Sequence, residues 1–205
     1  MPSKKILILF AHPSQSRSDI NLPLFQASQG DQVTCVDLYA EYPNFRIDID
    51  KEQKRLVEHD VIVFMFPMYW YSTPAILKEW QDLVLEHGFA YGHEGTALNG
   101  KQFLCAVSTG GPKKAYQCDG SNHYTIQELL QPLEQTAQLC GLEYLPPFVL
   151  FGARTAMEDN RLQNHIEQWQ QRLLQLGNGE INASQFAKQD LLSHCEQAAS
   201  TGSDK

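Results

Sequence analysis

The 205-residue chain predicts an α/β protein built on one open parallel sheet of five strands with helices on both faces. Three observations lead there. Short, continuously apolar runs such as Ile6–Ala11 and Val61–Phe66 fit strands that are covered on both sides. Between these runs, apolar residues recur at helical spacing, as in Ile76, Leu77, Trp80, Leu83 and Val84. Strand and helix alternate along the chain, which gives right-handed crossovers and a sheet sandwiched between helices.

Lys5–Ala11 is the first strand. The polar stretch from His12 to Asn21 leads into a helix reaching about Gln29, and Gly30-Asp31 turns the chain into the second strand, Gln32–Leu38. A loop, Tyr39–Ile49, precedes a helix capped by Asp50, with Gln53 completing a capping box, that ends near His59-Asp60. After the third strand, Ser72 or Thr73 caps the Trp80 helix, with Pro74 in its first turn. Glu86–Gly100 contains four glycines and reads as an irregular loop. Gln102–Thr109 is the fourth strand. Thr125 and Glu128 form a second capping box, and Pro132 kinks that helix or begins its main segment. Tyr144–Gly152, interrupted by Pro146-Pro147, is the least regular strand. Leu162, Ile166, Trp169 and Leu173 mark the last core helix.

Residues 1–176 form one domain and 177–205 a polar tail. Phe186, Leu191 and Leu192 suggest a partly helical tail, and Ala198–Lys205 reads as disordered. The expected strand order is 2-1-3-4-5. Polar loops follow strands one, three and four, which are neighbours in that order, with the switch point between strands one and three.

The net charge of −8 argues against nucleic acid and against unassisted docking on anionic lipid. No apolar run approaches a membrane span or a signal-peptide core, so a cytoplasmic location is expected. The five cysteines include no Cys-x-x-Cys pair, and the seven histidines show no ligand spacing; neither a disulfide framework nor a metal site is expected. Cys118, in a polar loop, is the candidate exposed thiol.

The chemistry gathers in three loops. The first holds His12, Ser14, Ser16, Arg17, Ser18 and Asn21 ahead of a helix, where backbone N–H groups and hydroxyls suit an anion. It lacks the Gly-rich patterns of triphosphate and dinucleotide sites, so a monophosphate fits better. Taken alone, it reads equally as a polar helix cap. The second, Pro67-Met68-Tyr69-Trp70-Tyr71-Ser72-Thr73-Pro74, hangs three aromatics on a strand-to-helix loop, where they can wall a flat ligand. The third, Ser108-Thr109-Gly110-Gly111, lets backbone approach a ring edge closely, although a lone Gly-Gly is more often a tight turn. Tyr116 follows in a polar stretch, either as surface packing or as a donor to a reduced ring or a substrate carbonyl. A phosphate cradle, an aromatic wall and an edge reader match FMN from end to end.

These residues, together with Phe89-Ala90-Tyr91-Gly92, resemble the flavodoxin-like NAD(P)H:quinone oxidoreductases from about Ile6 to Leu174. Asp37-Leu38-Tyr39, Tyr42-Pro43, Phe45, Ile47-Asp48-Ile49, Glu52-Gln53 and Leu142–Phe148 are similar more narrowly to the ancillary subunits of bacterial glutathione-gated potassium efflux systems. Those are cytoplasmic flavoproteins that bind and activate a membrane antiporter and reduce quinones. The resemblance implies that His12, Ser18, Asp19, Ile20 and Asn21 hold the flavin phosphate. It implies that Pro67, Met68, Tyr69, Trp70 and Tyr71 pack the isoalloxazine, and that Ser108, Thr109, Gly110 and Gly111 meet its pyrimidine edge. Tyr116 matches a tyrosine beside the flavin. The histidine that assists it in mammalian quinone reductases aligns with Asn122, with His123 one residue away, so Tyr116 and His123 are the catalytic candidates. The first loop suits FMN or FAD, and the bacterial resemblance favours FMN.

The expected protein is therefore a homodimeric flavoenzyme. It passes a hydride from NAD(P)H through FMN to a quinone or related small electrophile by ping-pong turnover, and it also serves as the activator of a potassium efflux antiporter at the inner face of the membrane. The rival is a regulatory subunit in which flavin is a sensor and quinone reduction is incidental. A small electron-carrier flavodoxin fits less well, because the aromatic loop and the Glu86–Gly100 segment are foreign to it.

Overall fold

The computed structural model describes residues 3–14 and 18–181. Ser16 and Arg17 of the first loop, and the tail beyond Ile181 with its expected helical stretch, lie outside the described residues. The elements run β1 (Ile6–Phe10), α1 (Asn21–Gln26), β2 (Val33–Asp37), α2 (Leu38–Glu41), α3 (Ile49–Glu58), β3 (Val61–Pro67), α4 (Ala75–Val84), β4 (Gln102–Ser108), α5 (Ile126–Leu139), β5 (Glu143–Tyr144), β6 (Phe148–Leu150) and α6 (Arg161–Gly177). Every strand pair is parallel, in the expected order 2-1-3-4-5.

A sixth strand is the difference. The expected Tyr144–Gly152 strand is split by Pro146-Pro147, which have no N–H to donate to a ladder. β5 pairs with Gln102 and Phe103 of β4, and β6 with Ala106, Val107 and Ser108 of the same strand. The two pieces thus continue one edge on either side of the prolines.

The central strands are buried on both faces, and alternate residues sort into two cores. Leu7, Leu9, Ile62, Phe64, Phe66, Phe103 and Cys105 pack with Leu56 of α3, with Ile76, Leu77 and Trp80 of α4, and with Leu130 and Leu133 of α5. Ile6, Ile8, Phe10, Val61, Val63, Met65 and Leu104 face the other way, against Leu24 of α1 and Trp169, Leu173 and Leu176 of α6. Both core indoles find acceptors. Trp80 Nε1–H donates to buried Glu52 at 2.9 Å and Trp169 Nε1–H to Ser28 Oγ at 2.7 Å.

Several element boundaries shift for local reasons. Asp48, rather than Asp50, caps α3, accepting the Lys51 N–H at 3.1 Å. Part of the Tyr39–Ile49 loop folds as α2, because the Asp37 carboxylate accepts the N–H groups of Tyr39 and Ala40. α4 starts behind Pro74 with no side-chain cap. The Thr125–Glu128 capping box is present, and α5 runs through Pro132 rather than starting there. Cys105 and Cys140 are buried thiols, whereas Cys118 is half-buried and disulfide-bonded. Among the described residues no helix is long and apolar enough to cross a membrane, and no cluster of side chains could hold a metal ion.

Candidate functional site

β1, β3 and β4 are neighbours, so the loops leaving their carboxyl ends meet at one edge, with the β3 loop in the middle. Between them opens a cleft of about 450 Å³, within the usual range of roughly 300–1,000 Å³ for small-molecule sites. Its walls include His12, Ser18, Asp19, Ile20, Asn21, Pro67, Met68, Tyr69, Trp70, Ser108, Thr109 and Gly110. Of the expected cofactor residues, only Tyr71 and Gly111 stand outside the lining.

The first loop is tied to the third through buried side chains. Asn21 Nδ2 donates to Ser108 Oγ at 2.9 Å, and the Ser18 hydroxyl accepts the Leu22 N–H at 3.1 Å as α1 begins. His12 is buried, which lowers its pKa and keeps the ring neutral. Its Nδ1 accepts the Ser14 N–H at 3.2 Å, so the ring proton resides on Nε2 and points to the Tyr69 hydroxyl 3.2 Å away. His12 thereby connects the polar loop to the aromatic one.

The aromatic loop is a tight turn. Ser72 N–H donates to the Tyr69 carbonyl at 3.0 Å, and Trp70 and Tyr71 both take left-handed backbone, at φ 50° and 62°. Two consecutive bulky residues in that region are strained, and such strain persists where surrounding structure enforces it. The turn holds Trp70 out of the protein, 94% exposed, with Tyr69 and Tyr71 half exposed on either side. Tyr71 turns away from the cleft, and its hydroxyl donates to Asn122 Oδ1 at 3.2 Å.

The third loop goes from buried Ser108 and Thr109 to exposed Gly110. Thr109 is buried, and its hydroxyl donates to the Gly111 carbonyl at 3.0 Å. A Cβ on Gly111 would stand 3.3 Å from the Tyr116 ring, so this glycine gives the tyrosine its seat. Tyr116 is buried, leans on Phe151, and brings its hydroxyl beside Gly111 without lining the cleft itself. His123 occupies an exposed left-handed turn (φ 61°). Its neighbour Asn122 is the residue that reaches the aromatic loop, through Tyr71.

Ala153, Arg154 and Met157 complete the lining. They follow β6, on a segment stitched to the third loop by the Ala153 N–H to Thr109 and the Gly152 N–H to Gly111, each at 2.8 Å. The Arg161 guanidinium clamps the same segment, donating to the carbonyls of Phe151 and Gly152 at 2.5 and 3.1 Å. Sequence reasoning missed these residues because Ala-Arg-Thr-Ala-Met carries no binding pattern. Their position past the carboxyl end of the last strand was the available signal. Arg154 is exposed beside Gly110 and brings a cation to the cleft wall.

The cleft thus offers hydroxyls and a helix start at one end, an aromatic wall in the middle, and close-approach backbone at the other end. That donor set fits a flat ring carrying a phosphate tail. Residues 4–173 match the family described as having the flavodoxin-like fold. General stress protein 14 from Treponema denticola, solved in complex with FMN, is 37% identical; the match covers 84% of this chain and 99% of that one, with a TM-score of 0.79. An NADPH-quinone reductase from P. pentosaceus is 34% identical over 82% of this chain and 97% of its own, with a TM-score of 0.74. The glutathione-regulated potassium-efflux system ancillary protein KefG of Pectobacterium carotovorum is 49% identical over 76% of this chain and 85% of its own. Sheet order, cleft and relatives agree that the chain belongs to the flavodoxin-like family of NAD(P)H:quinone reductases.

Proposed function

We propose that this protein is an FMN-dependent NAD(P)H:quinone oxidoreductase acting in the cytoplasm. The observation that carries the reading is the single cleft in which phosphate cradle, aromatic turn and Gly110 edge follow one another along adjacent strands. When bound, FMN supplies the hydride relay between NAD(P)H and a quinone or similar small electrophile, each using the same face in turn. The protein's part is placement. Ser18 and the backbone entering α1 hold the phosphate. Met68, Tyr69 and Trp70 support the ring. Gly110 lets main-chain groups reach the pyrimidine edge. Tyr116 offers a hydroxyl where negative charge develops.

The purified protein should bind one FMN per chain by calorimetry. NAD(P)H should bleach that flavin without oxygen, menadione should restore it, and initial rates should give parallel double-reciprocal lines. Absence of binding to either FMN or FAD at saturation would sink the reading.

The active form we propose is a homodimer, with the loop 89–95 of each chain beside its partner's flavin. That loop is tightly wound: Gly92 sits at φ 89°, and a Cβ there would stand 2.5 Å from His87 Nε2. Light scattering that finds a monomer at micromolar concentration would remove this part.

The identity with KefG motivates a second role, as the ancillary activator of a potassium efflux antiporter. Tyr116→Phe distinguishes the two roles. Efflux that stays at the wild-type rate while turnover falls about tenfold points to a flavin sensor, whereas efflux that falls with turnover points to the enzyme.

A further inference from the structure

We propose that Arg154 sets the reduction potential of the bound flavin: its guanidinium stands at the Gly110 edge of the cleft, where it stabilises the negative charge that a hydride brings to the ring. The proposal deepens the quinone-reductase reading above and rests on it.

It starts from the cleft wall. Arg154 is the one Lys or Arg of the described residues in the lining. Lys5, Arg46, Lys113, Lys114 and Arg172 also lack an ion pair there, but none of them lines the cleft. Position, not the lack of a carboxylate, therefore singles out Arg154. Of the other titratable groups in the wall, His12 is neutral, and no ion pair joins Asp19 of the first loop to Arg154.

Backbone directs the side chain to this place. Ala153 N–H donates to the Thr109 carbonyl and Gly152 N–H to the Gly111 carbonyl, each at 2.8 Å, and Thr109 N–H donates to the Leu150 carbonyl at 2.9 Å. Beyond Arg154, the Thr155 hydroxyl accepts from the Arg161 guanidinium at 2.9 Å. The segment is thus held on both sides of Arg154. A Cβ built on Gly110 would stand 3.9 Å from Arg154 Nε, so the guanidinium lies against the residue proposed to meet the pyrimidine edge. The nearby Asp159 carboxylate is already engaged, accepting from Arg161 Nε at 2.6 Å.

The chemistry asks for a cation at this edge. A hydride carries two electrons and one proton from NAD(P)H to the ring, and the nicotinamide leaves oxidised. The ring gains one negative charge, shared by N1 and the C2 carbonyl oxygen of its pyrimidine half. The charge departs when the hydride passes to the quinone, which takes a further proton from water. A fixed cation beside that half favours the reduced ring over the oxidised one, and water displaced from the cleft strengthens the attraction. Arginine suits the task because it stays charged at every working pH and presents a planar fork of donors.

The test is a charge series read as a midpoint potential, measured on FMN-loaded protein by dithionite titration against a reference dye. Arg154→Gln should bind reduced FMN about tenfold more weakly relative to oxidised FMN, which lowers the two-electron potential by about 30 mV. Arg154→Glu should lower it further, and Arg154→Lys should keep at least half of the wild-type advantage. Lys54→Gln removes an equal charge from α3, outside the cleft, and should leave the potential unchanged. Arg154 is exposed, so the flavin-free variants should melt with wild type. Calorimetry should show oxidised FMN weakened less than about twofold by Arg154→Gln. A potential that ignores the charge at position 154, or that falls as far in Lys54→Gln, overturns the proposal. Equal weakening of both oxidation states makes Arg154 a ligand of the phosphate and overturns it too. Flavin-loaded protein that follows the charge series but oxidises no NAD(P)H strikes the quinone-reductase reading alone; protein that binds no flavin strikes both.

Discussion

Trp70 and Trp80 stand ten residues apart and are treated in opposite ways. Trp80 is 0% exposed, meets Phe64 edge-on at 5.6 Å, and donates its indole N–H to Glu52. Glu52 is itself buried, accepts the Tyr42 hydroxyl at 2.6 Å and pairs with Arg55, so the indole completes a satisfied network. Trp70 is 94% exposed on left-handed backbone. The first arrangement stabilises the fold. The second strains it and leaves apolar surface in water, which makes sense where a ligand will cover the ring. Under the proposed function, strain and exposure mark Trp70 as the aromatic kept for binding, and burial marks Trp80 as the one kept for packing.

The sharpest way to break that comparison is Trp80→Ala. It should remove about 3–5 kcal/mol of stability in denaturant unfolding, since it opens a cavity and takes a donor from Glu52. The folded fraction should bind flavin as before; weakened binding would mean that the two tryptophans are not separable.

Acid should act next, and again on the packed side. His165 lies buried against Phe148 with ring centroids 4.2 Å apart, and burial lowers its pKa from 6.5 to about 4. Below pH 6.5 the unfolded chain takes up a proton that the folded chain refuses. Stability should fall as pH drops from 6.5 toward 4, by about 2 kcal/mol between pH 7 and pH 5. His165→Phe should flatten that slope, and an unchanged slope would assign acid sensitivity elsewhere.

Trp70→Ala should raise the FMN dissociation constant about tenfold, roughly 1.4 kcal/mol, with stability within about 0.5 kcal/mol of wild type. Equal affinity in variant and wild type would end its role as a wall. Tyr116→Phe removes only a hydroxyl. It should leave FMN affinity unchanged and lower turnover about tenfold, with stopped-flow half-reactions locating the slow step. Wild-type rates in both halves would make Tyr116 structural and turn attention to Asn122.

The smallest effect is the most diagnostic. Trp70→Gly should be more stable than Trp70→Ala by roughly 1 kcal/mol, because glycine takes positive φ without the Cβ clash, while binding flavin no better.

Much of this was legible in the sequence, and residue by residue the reasons differ. Val61–Phe66 could be read as a covered strand because strand burial and apolar runs share one cause. The Thr125–Glu128 box was readable because both partners of the cap lie three residues apart in the chain. Asp48 and Asp50 are chemically alike, and only the path of the preceding loop selects the earlier one. The Trp70–Tyr71 turn was hidden for a related reason. Such turns are normally announced by Asn-Gly or Gly-Gly, and here tertiary structure imposes the same backbone on aromatics. Arg154 reaches the cleft only because β6 resumes past Pro146-Pro147 and ends level with β4, a register no local pattern encodes.

At the opposite edge of the sheet, the two flanks of the domain are fastened together. The Lys4 N–H donates to the Gly177 carbonyl at 2.7 Å, and buried Gln102 donates to the Ile181 carbonyl at 2.7 Å. Both sit where the strands begin, about 17–20 Å by strand length from where the strands end and the cleft opens. Anything attached near Ser3 or Ile181, whether an affinity handle, a linker or a solid support, leaves from the side facing away from the cleft. An immobilised molecule would keep its mouth turned to the solution, and mechanical load applied there would be borne by β1, β4 and α6 rather than by the aromatic turn.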